Sequence, residues 1–363
     1  MTRALVVVGT RPEAIKMAPV LRALQADGRI TPRLCVTGQH RDLLDLGGLG
    51  LRPDHDLDIG ADTLATVAAE VLAGVAGVIR RDDPDLVLVQ GDTTSAFAGA
   101  LAAFYAGVPV GHVEAGLRTG DLDAPWPEEG HRRAIDALAT WHFAPTARAR
   151  DTLLAEGARP GGVRLVGNTG IDALRLSPAK PSARDGRTIL VTVHRRENLG
   201  ERLREVCSGV RSVARGWPDV RIVVPVHPNP SVQAPVMSAL SGLSNVELVA
   251  PLNHGSMVRE LANCTFVLTD SGGLQEEAPF FGKPVLVLRD STERPEGVEA
   301  GTAWLVGTAA PRIVSACGAL LDDPSVLAAM SRVHHPYGDG YAAERIVAAL
   351  AESLVSAREE ALS

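Results

Sequence analysis

Short, continuous apolar runs recur along the chain, each followed by a helical pattern, and no other feature restricts the fold as much. The first set is ALVVVG (4–9), RLCVTG (33–38), DLVLVQG (85–91), VPVGHVE (108–114) and VRLVGN (163–168). The second is TILVTV (188–193), VRIVVPV (220–226), NVELVA (245–250), FVLTD (266–270), KPVLVL (283–288) and AWLVG (303–307). Unbroken apolar character, rather than alternation, is what strands buried on both faces of a parallel sheet require. Between the sets, DALRLSPAKPSARDGR (172–187) is rich in proline, small and charged residues and reads as a linker. At 363 residues the chain exceeds one ordinary core. The expected architecture is therefore α/β, with two doubly wound, Rossmann-like domains facing each other across a cleft. The first covers 1–171 and the second 188–340, with a terminal helix over 341–363 able to pack back on the first.

Composition narrows the partners. A formal net charge of -7 argues against general nucleic-acid binding, so an anionic ligand requires a local basic pocket. Cys35, Cys207, Cys264 and Cys317 stand singly, without the paired spacing of a zinc or redox motif, and are expected as reduced thiols. The opening ALVVV is too short for a leader or a membrane span. A cytoplasmic protein with no membrane contact is the expectation. No His/Cys cluster has metal-ligand spacing, so no zinc is inferred, and the turn after the first strand is neither GxGxxG nor a Walker loop, so no dinucleotide or ATP cofactor is implied.

Ligands of doubly wound sheets bind beyond the carboxyl ends of the strands, and that is where the polar motifs fall. GTRPEAIKMAPV (9–20) is a strand-to-helix turn carrying Arg11 and Lys16, cations beside the free N–H groups of a helix start. In TDSGGLQEEAPFFGKP (269–284), Gly272 and Gly273 allow close backbone approach to an anion, and Ser271 adds a hydroxyl. A helix is expected from near Leu274, with Glu277 placed to accept the hydroxyls of a ribose. VTVHRREN (191–198) sets His194, Arg195 and Arg196 just past a strand, which suits a diphosphate. For His227, His254 and Tyr341, packing is the expected role.

The charged stretch HVEAGLRTGDLDAPWPEEGHRR (112–133) must be a loop that leaves a buried strand and enters the next helix. Its Glu114 and Glu128, with Asp92 of QGDTTSA, are the acids singled out. Carboxylates gathered in one pocket push their proton affinities apart, giving one group acid and another base character. Helix capping is an equal alternative for Asp92 and Glu128.

Taken together, GTRPEAIKMAP, TGQHRDLL, QGDTTSA, HVEAGLRTGDLDAPWPEEGHR, VGNTGIDAL, VTVHRREN, PVHPNP, LTDSGGLQEEAPFFGKPVLVLRDSTERPE and GDGYAAERI resemble, in order, the motifs of the non-hydrolysing UDP-N-acetylglucosamine 2-epimerases. The resemblance runs over nearly the whole chain. It implies a fold like that of the two-domain GT-B glycosyltransferases and interconversion of UDP-N-acetylglucosamine with UDP-N-acetylmannosamine through a 2-acetamidoglucal intermediate. It also implies a UDP-sugar partner, no nicotinamide, no obligatory metal and a homodimer. By the same resemblance Asp92, Glu114 and Glu128 are catalytic carboxylates and His194 lies near the diphosphate. Ser271, Gly272 and Gly273 form the phosphate turn, Glu277 is the ribose acid, and Arg11 and Lys16 are the basic N-terminal pair. A glycosyltransferase of the same fold, a hydrolysing epimerase and a silent nucleotide-sugar sensor are the alternatives.

One region departs from the resemblance. Many members carry a second UDP-N-acetylglucosamine site at their GQH motif. This chain keeps Gln39, His40 and Arg41 but has Asp42, ADTL at 61–64, and the glycine-rich DLGGLGL at 45–51. An acid facing a diphosphate repels it. The effector site is therefore expected to be degenerate and catalysis independent of it.

Overall fold

The computed structural model describes residues 2–38, 46–60, 63–177, 186–332 and 335–362. The chain forms two compact units, Met1–Leu176 with Tyr337–Ser363, and Ser177–Pro336. Half of the stretch read as a linker, 178–185, lies outside the described residues, and its first part continues a helix to Leu176.

In the first unit the strands are β1 (Thr2–Val8), β2 (Ile30–Val36), β3 (His55–Asp56), β4 (Leu86–Gln90), β5 (Val110–Val113), β6 (Trp141–Ala144) and β7 (Val163–Leu165). Its helices are α1 (Arg11–Asp27), α2 (Leu64–Asp82), α3 (Thr94–Tyr105), α4 (Glu128–Leu138), α5 (Ala147–Ala155) and α6 (Thr169–Leu176). All strand pairs are parallel, in the order β3-β2-β1-β4-β5-β6-β7. β1 shows why its run is unbroken. Val6 and Val8 face a core with Met17 and Leu21 of α1, while Leu5 and Val7 face another with Val71 and Val75 of α2.

The second unit contains β8 (Thr188–Thr192), β9 (Arg221–Pro225), β10 (Val246–Val249), β11 (Phe266–Thr269), β12 (Val285–Val287) and β13 (Ala303–Leu305). Around them lie α7 (Glu201–Gly216), α8 (Pro230–Leu240), α9 (His254–Asn263), α10 (Gly272–Glu277), α11 (Pro295–Glu299), α12 (Ala310–Asp322) and α13 (Pro324–Met330). The sheet is again wholly parallel, ordered β10-β9-β8-β11-β12-β13. In both units the strand order reverses beside the first strand, so crevices open between the ends of β1 and β4 and of β8 and β11.

The terminal helix α14 (Ala342–Leu362) belongs to the first unit, where Ile346, Val347 and Leu350 join the α1 core. Asp172 of α6 accepts the backbone N–H groups of Ala342 at 3.2 Å and Ala343 at 2.7 Å, which satisfies the exposed donors of α14's first turn. All four cysteines are free and buried. Among the described residues no single helix is long and apolar enough to cross a membrane.

Candidate active site

The motifs after β1 and β4 flank the crevice of the first unit. A Cβ on Gly9 would stand 2.1 Å from Ser95 Oγ, so only glycine lets the start of α3 approach the end of β1 so closely. Thr10 then begins α1, with Pro12 in the first turn. Glu13 turns back to accept the N–H groups of Gly9 at 3.1 Å and Thr10 at 2.6 Å, and it accepts the Thr93 hydroxyl at 2.8 Å. Burial pushes this carboxyl up to about 7, against the lowering effect of the Thr10, Thr93 and Gly9 donors.

Each singled-out acid has a different setting. Glu114 leaves β5 at φ 68, a left-handed backbone uncommon outside glycine. Its carboxylate is ion-paired with Lys16 and accepts Gln90 Nε2 at 3.1 Å. Asp92 Oδ2 lies 2.5 Å from the Arg132 guanidinium, and the Asp92 carbonyl lies 2.9 Å from His131 Nδ1. Glu128 is the first residue of α4, and its Oε2 is buried with no hydrogen-bond partner among the described residues.

Capping, the alternative for two of these acids, falls to other residues. Thr93 caps α3 by accepting Ala96 N–H, and Pro127 stands at the N-cap of α4 with no side-chain bond. The neighbouring Glu129 is the structural acid of the loop. It is fully buried and accepts Thr119 N–H at 3.0 Å and Gly120 N–H at 3.3 Å, with Arg132 and Arg133 each 3.0 Å away. Arg11 opens α1, half-buried at the crevice.

The second unit repeats the plan with a buried acid at its centre. Asp270, fully buried at the end of β11, accepts the N–H groups of His194 at 3.0 Å and Arg195 at 2.9 Å, and Asn198 Nδ2 at 3.0 Å. The His-Arg-Arg turn is thus folded around one carboxylate. The His194 ring stacks on His227, with centroids 5.6 Å apart. Burial pushes the His194 imidazole below its ordinary value, Asp270 partly opposes this, and Arg195 and His227 reinforce it.

Ser271 precedes α10, which begins at Gly272, two residues earlier than expected. A Cβ on Gly272 would come within 2.7 Å of the Arg294 guanidinium. That guanidinium is itself fixed, with Nε donating to Glu276 at 2.6 Å and an ion pair to Glu293. Arg289 also binds Glu293, at 2.6 Å, and Glu197, at 2.7 Å, while Arg195 lies 3.6 Å from Glu293. Burial alone would raise the Glu293 carboxyl, but Arg294, Arg289 and Arg195 outweigh it and hold it well below the carboxylate range. This lattice braces the Ser271–Gly273 turn. Glu277 closes α10, half-buried, with its Oε1 3.6 Å from where a Cβ of Gly273 would stand.

Several outcomes differ from the sequence reading. His227, expected to pack, is exposed and stacks on His194. Tyr341 is 50% exposed, with Arg175 over its ring at 4.3 Å. His254 starts α9. Gln39, His40, Arg41 and Asp42, together with Ala61 and Asp62, lie outside the described residues. Glu13, Arg132, Asp270, Arg289 and Arg294 were not singled out. The signal for the last two was present in LRDSTERPE, where charge follows directly on the buried run KPVLVL.

Known proteins bear on this geometry. The family model described as UDP-N-acetylglucosamine 2-epimerase matches residues 22–351. A probable UDP-N-acetylglucosamine 2-epimerase of Ralstonia solanacearum is 50% identical, over 96% of this chain and 99% of its own. The crystal structure of the Neisseria meningitidis UDP-GlcNAc 2-epimerase bound to UDP-GlcNAc superposes with a TM-score of 0.92 at 42% identity, over 97% of this chain and 100% of that one. The glycosyltransferase SnogD of Streptomyces nogalater shares the fold alone, at a TM-score of 0.63 and 21% identity over 97% of this chain and 99% of its own.

Proposed function

The chain belongs to the UDP-N-acetylglucosamine 2-epimerase family, and from that premise we propose that it interconverts UDP-N-acetylglucosamine and UDP-N-acetylmannosamine without releasing free sugar. The contrast among three carboxylates supports the reading. Asp92 pairs with Arg132, Glu114 pairs with Lys16, and Glu128 keeps a buried oxygen with no partner among the described residues. Groups that must take a proton and return one need such differing surroundings.

The hydrogen at C2 of the sugar has no adjacent carbonyl to acidify it, so elimination is the workable route. One carboxylate takes the C2 proton, and the C–H electron pair becomes the C1=C2 double bond of 2-acetamidoglucal. The C1–O bond breaks, and its electron pair leaves with UDP. In the return step a UDP oxygen adds to C1 while a carboxylic acid protonates C2 on the other face, with no water consumed. His194, Arg195 and the Ser271–Gly273 turn hold the diphosphate in this reading, and Glu277 holds the ribose. Arg11 and Lys16 supply the basic N-terminal pair, and preorganised cations favour the departing charge.

Turnover is independent of the degenerate effector site at Gln39–Asp42, and the enzyme is a cytoplasmic homodimer. Incubation with UDP-N-acetylglucosamine in deuterated water tests the reaction. Deuterium at C2 in intact UDP-sugar of both configurations is expected. Free N-acetylmannosamine plus UDP would instead establish a hydrolysing enzyme.

A further inference from the structure

A buried histidine–carboxylate pair lies beneath the segments that carry the three acids. His112 is inside β5, two residues before Glu114, with its side chain fully buried. Its Nδ1 is 2.6 Å from Asp136 Oδ1 and its Nε2 is 2.8 Å from the Gly91 carbonyl oxygen. A carbonyl only accepts. Asp136 is ionised, since burial would raise its proton affinity but His112 and Arg118 outweigh burial and lower it. The ring therefore donates from Nε2 to Gly91 and meets Asp136 through Nδ1, so both of its nitrogens are engaged.

The other carboxylate oxygen extends the contact. Asp136 Oδ2 accepts Gly116 N–H at 3.2 Å and Arg118 at 2.8 Å. One pair therefore fixes Gly91, immediately before Asp92, and Gly116, two residues after Glu114. It also fixes α4, which starts at Glu128 and carries Asp136 about two turns later. The Asp136 carbonyl lies 2.8 Å from His142 Nε2, which ties the same part of α4 to β6. Asp92, Glu114 and Glu128 come from three separate elements, and this is the contact their three supports share.

We propose that the His112–Asp136 pair positions Asp92, Glu114 and Glu128 relative to one another for turnover, without itself touching substrate. The inference rests on the epimerase reading above. Its consequence is selective. Loss of the pair lowers kcat, because small misplacement of reacting groups is costly, whereas nucleotide held by the second unit binds as before.

Two substitutions separate charge from shape. In Asp136→Asn the amide oxygen can still accept Gly116 N–H while Nδ2 faces the His112 ring, so the shape persists without the carboxylate charge. His112→Gln keeps a donor for the Gly91 carbonyl and gives up Asp136. Both folded variants are expected to lose about 10- to 100-fold in kcat, since a misplacement of about 1 Å can cost about a hundredfold. KM and the UDP Kd should stay within about threefold of the parent, a split that simple destabilisation does not produce. A kcat within about threefold of the parent in both variants overturns the proposal, as does a matching loss of UDP affinity. Neutron diffraction of the unaltered protein should show a hydrogen shared between His112 Nδ1 and Asp136 and a ring hydrogen on Nε2 toward Gly91, and the absence of either overturns the proposal even if neither variant folds. An inactive parent would reject the functional reading instead, whereas an active parent with unaffected variants rejects only the clamp.

Discussion

Thr93 donates its hydroxyl to Glu13 at 2.8 Å, so the N-termini of α3 and α1 share one buried carboxylate. That carboxylate draws the turns after β1 and β4 together, and it does so from a site where ionisation is costly. Its folded value of about 7 lies above the ordinary 4.5, so the folded protein holds this proton more tightly than the unfolded chain. Glu13 therefore contributes stability that is fully present below about pH 4.5 and is lost as pH rises through about 7. Glu13→Gln can accept from Gly9 and Thr10 and donate to Thr93, and it lacks that loss. Urea unfolding of parent and variant near pH 5 and pH 8 should favour the variant increasingly at the higher pH, by on the order of 3 kcal/mol at most. A difference that does not change with pH rejects the assignment.

The three acids should separate by what surrounds them. Asp92→Asn, Glu114→Gln and Glu128→Gln are each expected to lower turnover by at least about a hundredfold, with UDP affinity retained. Thermal midpoints should distinguish them. Among the described residues Glu128 Oε2 has no hydrogen-bond partner to lose, whereas Glu114→Gln breaks the ion pair with Lys16 and should lower the midpoint more. Near-parent turnover in all three folded variants would remove the proposed mechanism.

In the second unit, Gly272→Ala places a methyl against a guanidinium that Glu276 and Glu293 hold in place. The turn must shift, and UDP affinity should fall about tenfold, equal to about 1.4 kcal/mol. Glu277→Ala should weaken UDP binding through the ribose while leaving pyrophosphate binding intact. Calorimetry with both ligands checks the pair, and unaltered UDP binding in Glu277→Ala refutes the ribose role.

If His194 holds the diphosphate as proposed, UDP binding should depend on pH. Its side chain is 38% exposed, but burial still lowers the imidazole from its ordinary value of 6.5, so the ring is mostly neutral near pH 7. A diphosphate beside it favours the imidazolium. Binding should then take up protons, and affinity should fall as pH rises. Calorimetry near pH 7 in buffers of different ionisation enthalpy should show net uptake in the parent and less in His194→Asn. Buffer-independent heats in the parent would exclude this role.

Much of the fold was legible because burial on both faces leaves an unbroken apolar signature. Each of the eleven predicted runs contains or overlaps a strand. The strands that escaped were β3, only two residues long, and β6, where Trp141 and His142 interrupt the apolar pattern. Asp92 and Glu114 could be picked out as candidates because each stands just past a buried strand, where ligands of such sheets bind, but Asp270 stands in the same position and is a buried structural acid.

What sequence determined alone was therefore local: strand identity, the turns at strand ends, the glycines at close approaches, and the family. Pairing across the chain was decided by tertiary structure. Nothing within QGDTT shows that Arg132 will neutralise Asp92, and nothing in HVEAG shows that Lys16 will meet Glu114. Nor does DSGG reveal that Asp270 organises His194 and Arg195. These partners lie 40, 98 and about 76 residues apart. Parallel sheet order brings them together, and once together their charge and burial, rather than residue type, set which carboxylates stay ionised and which hold a proton.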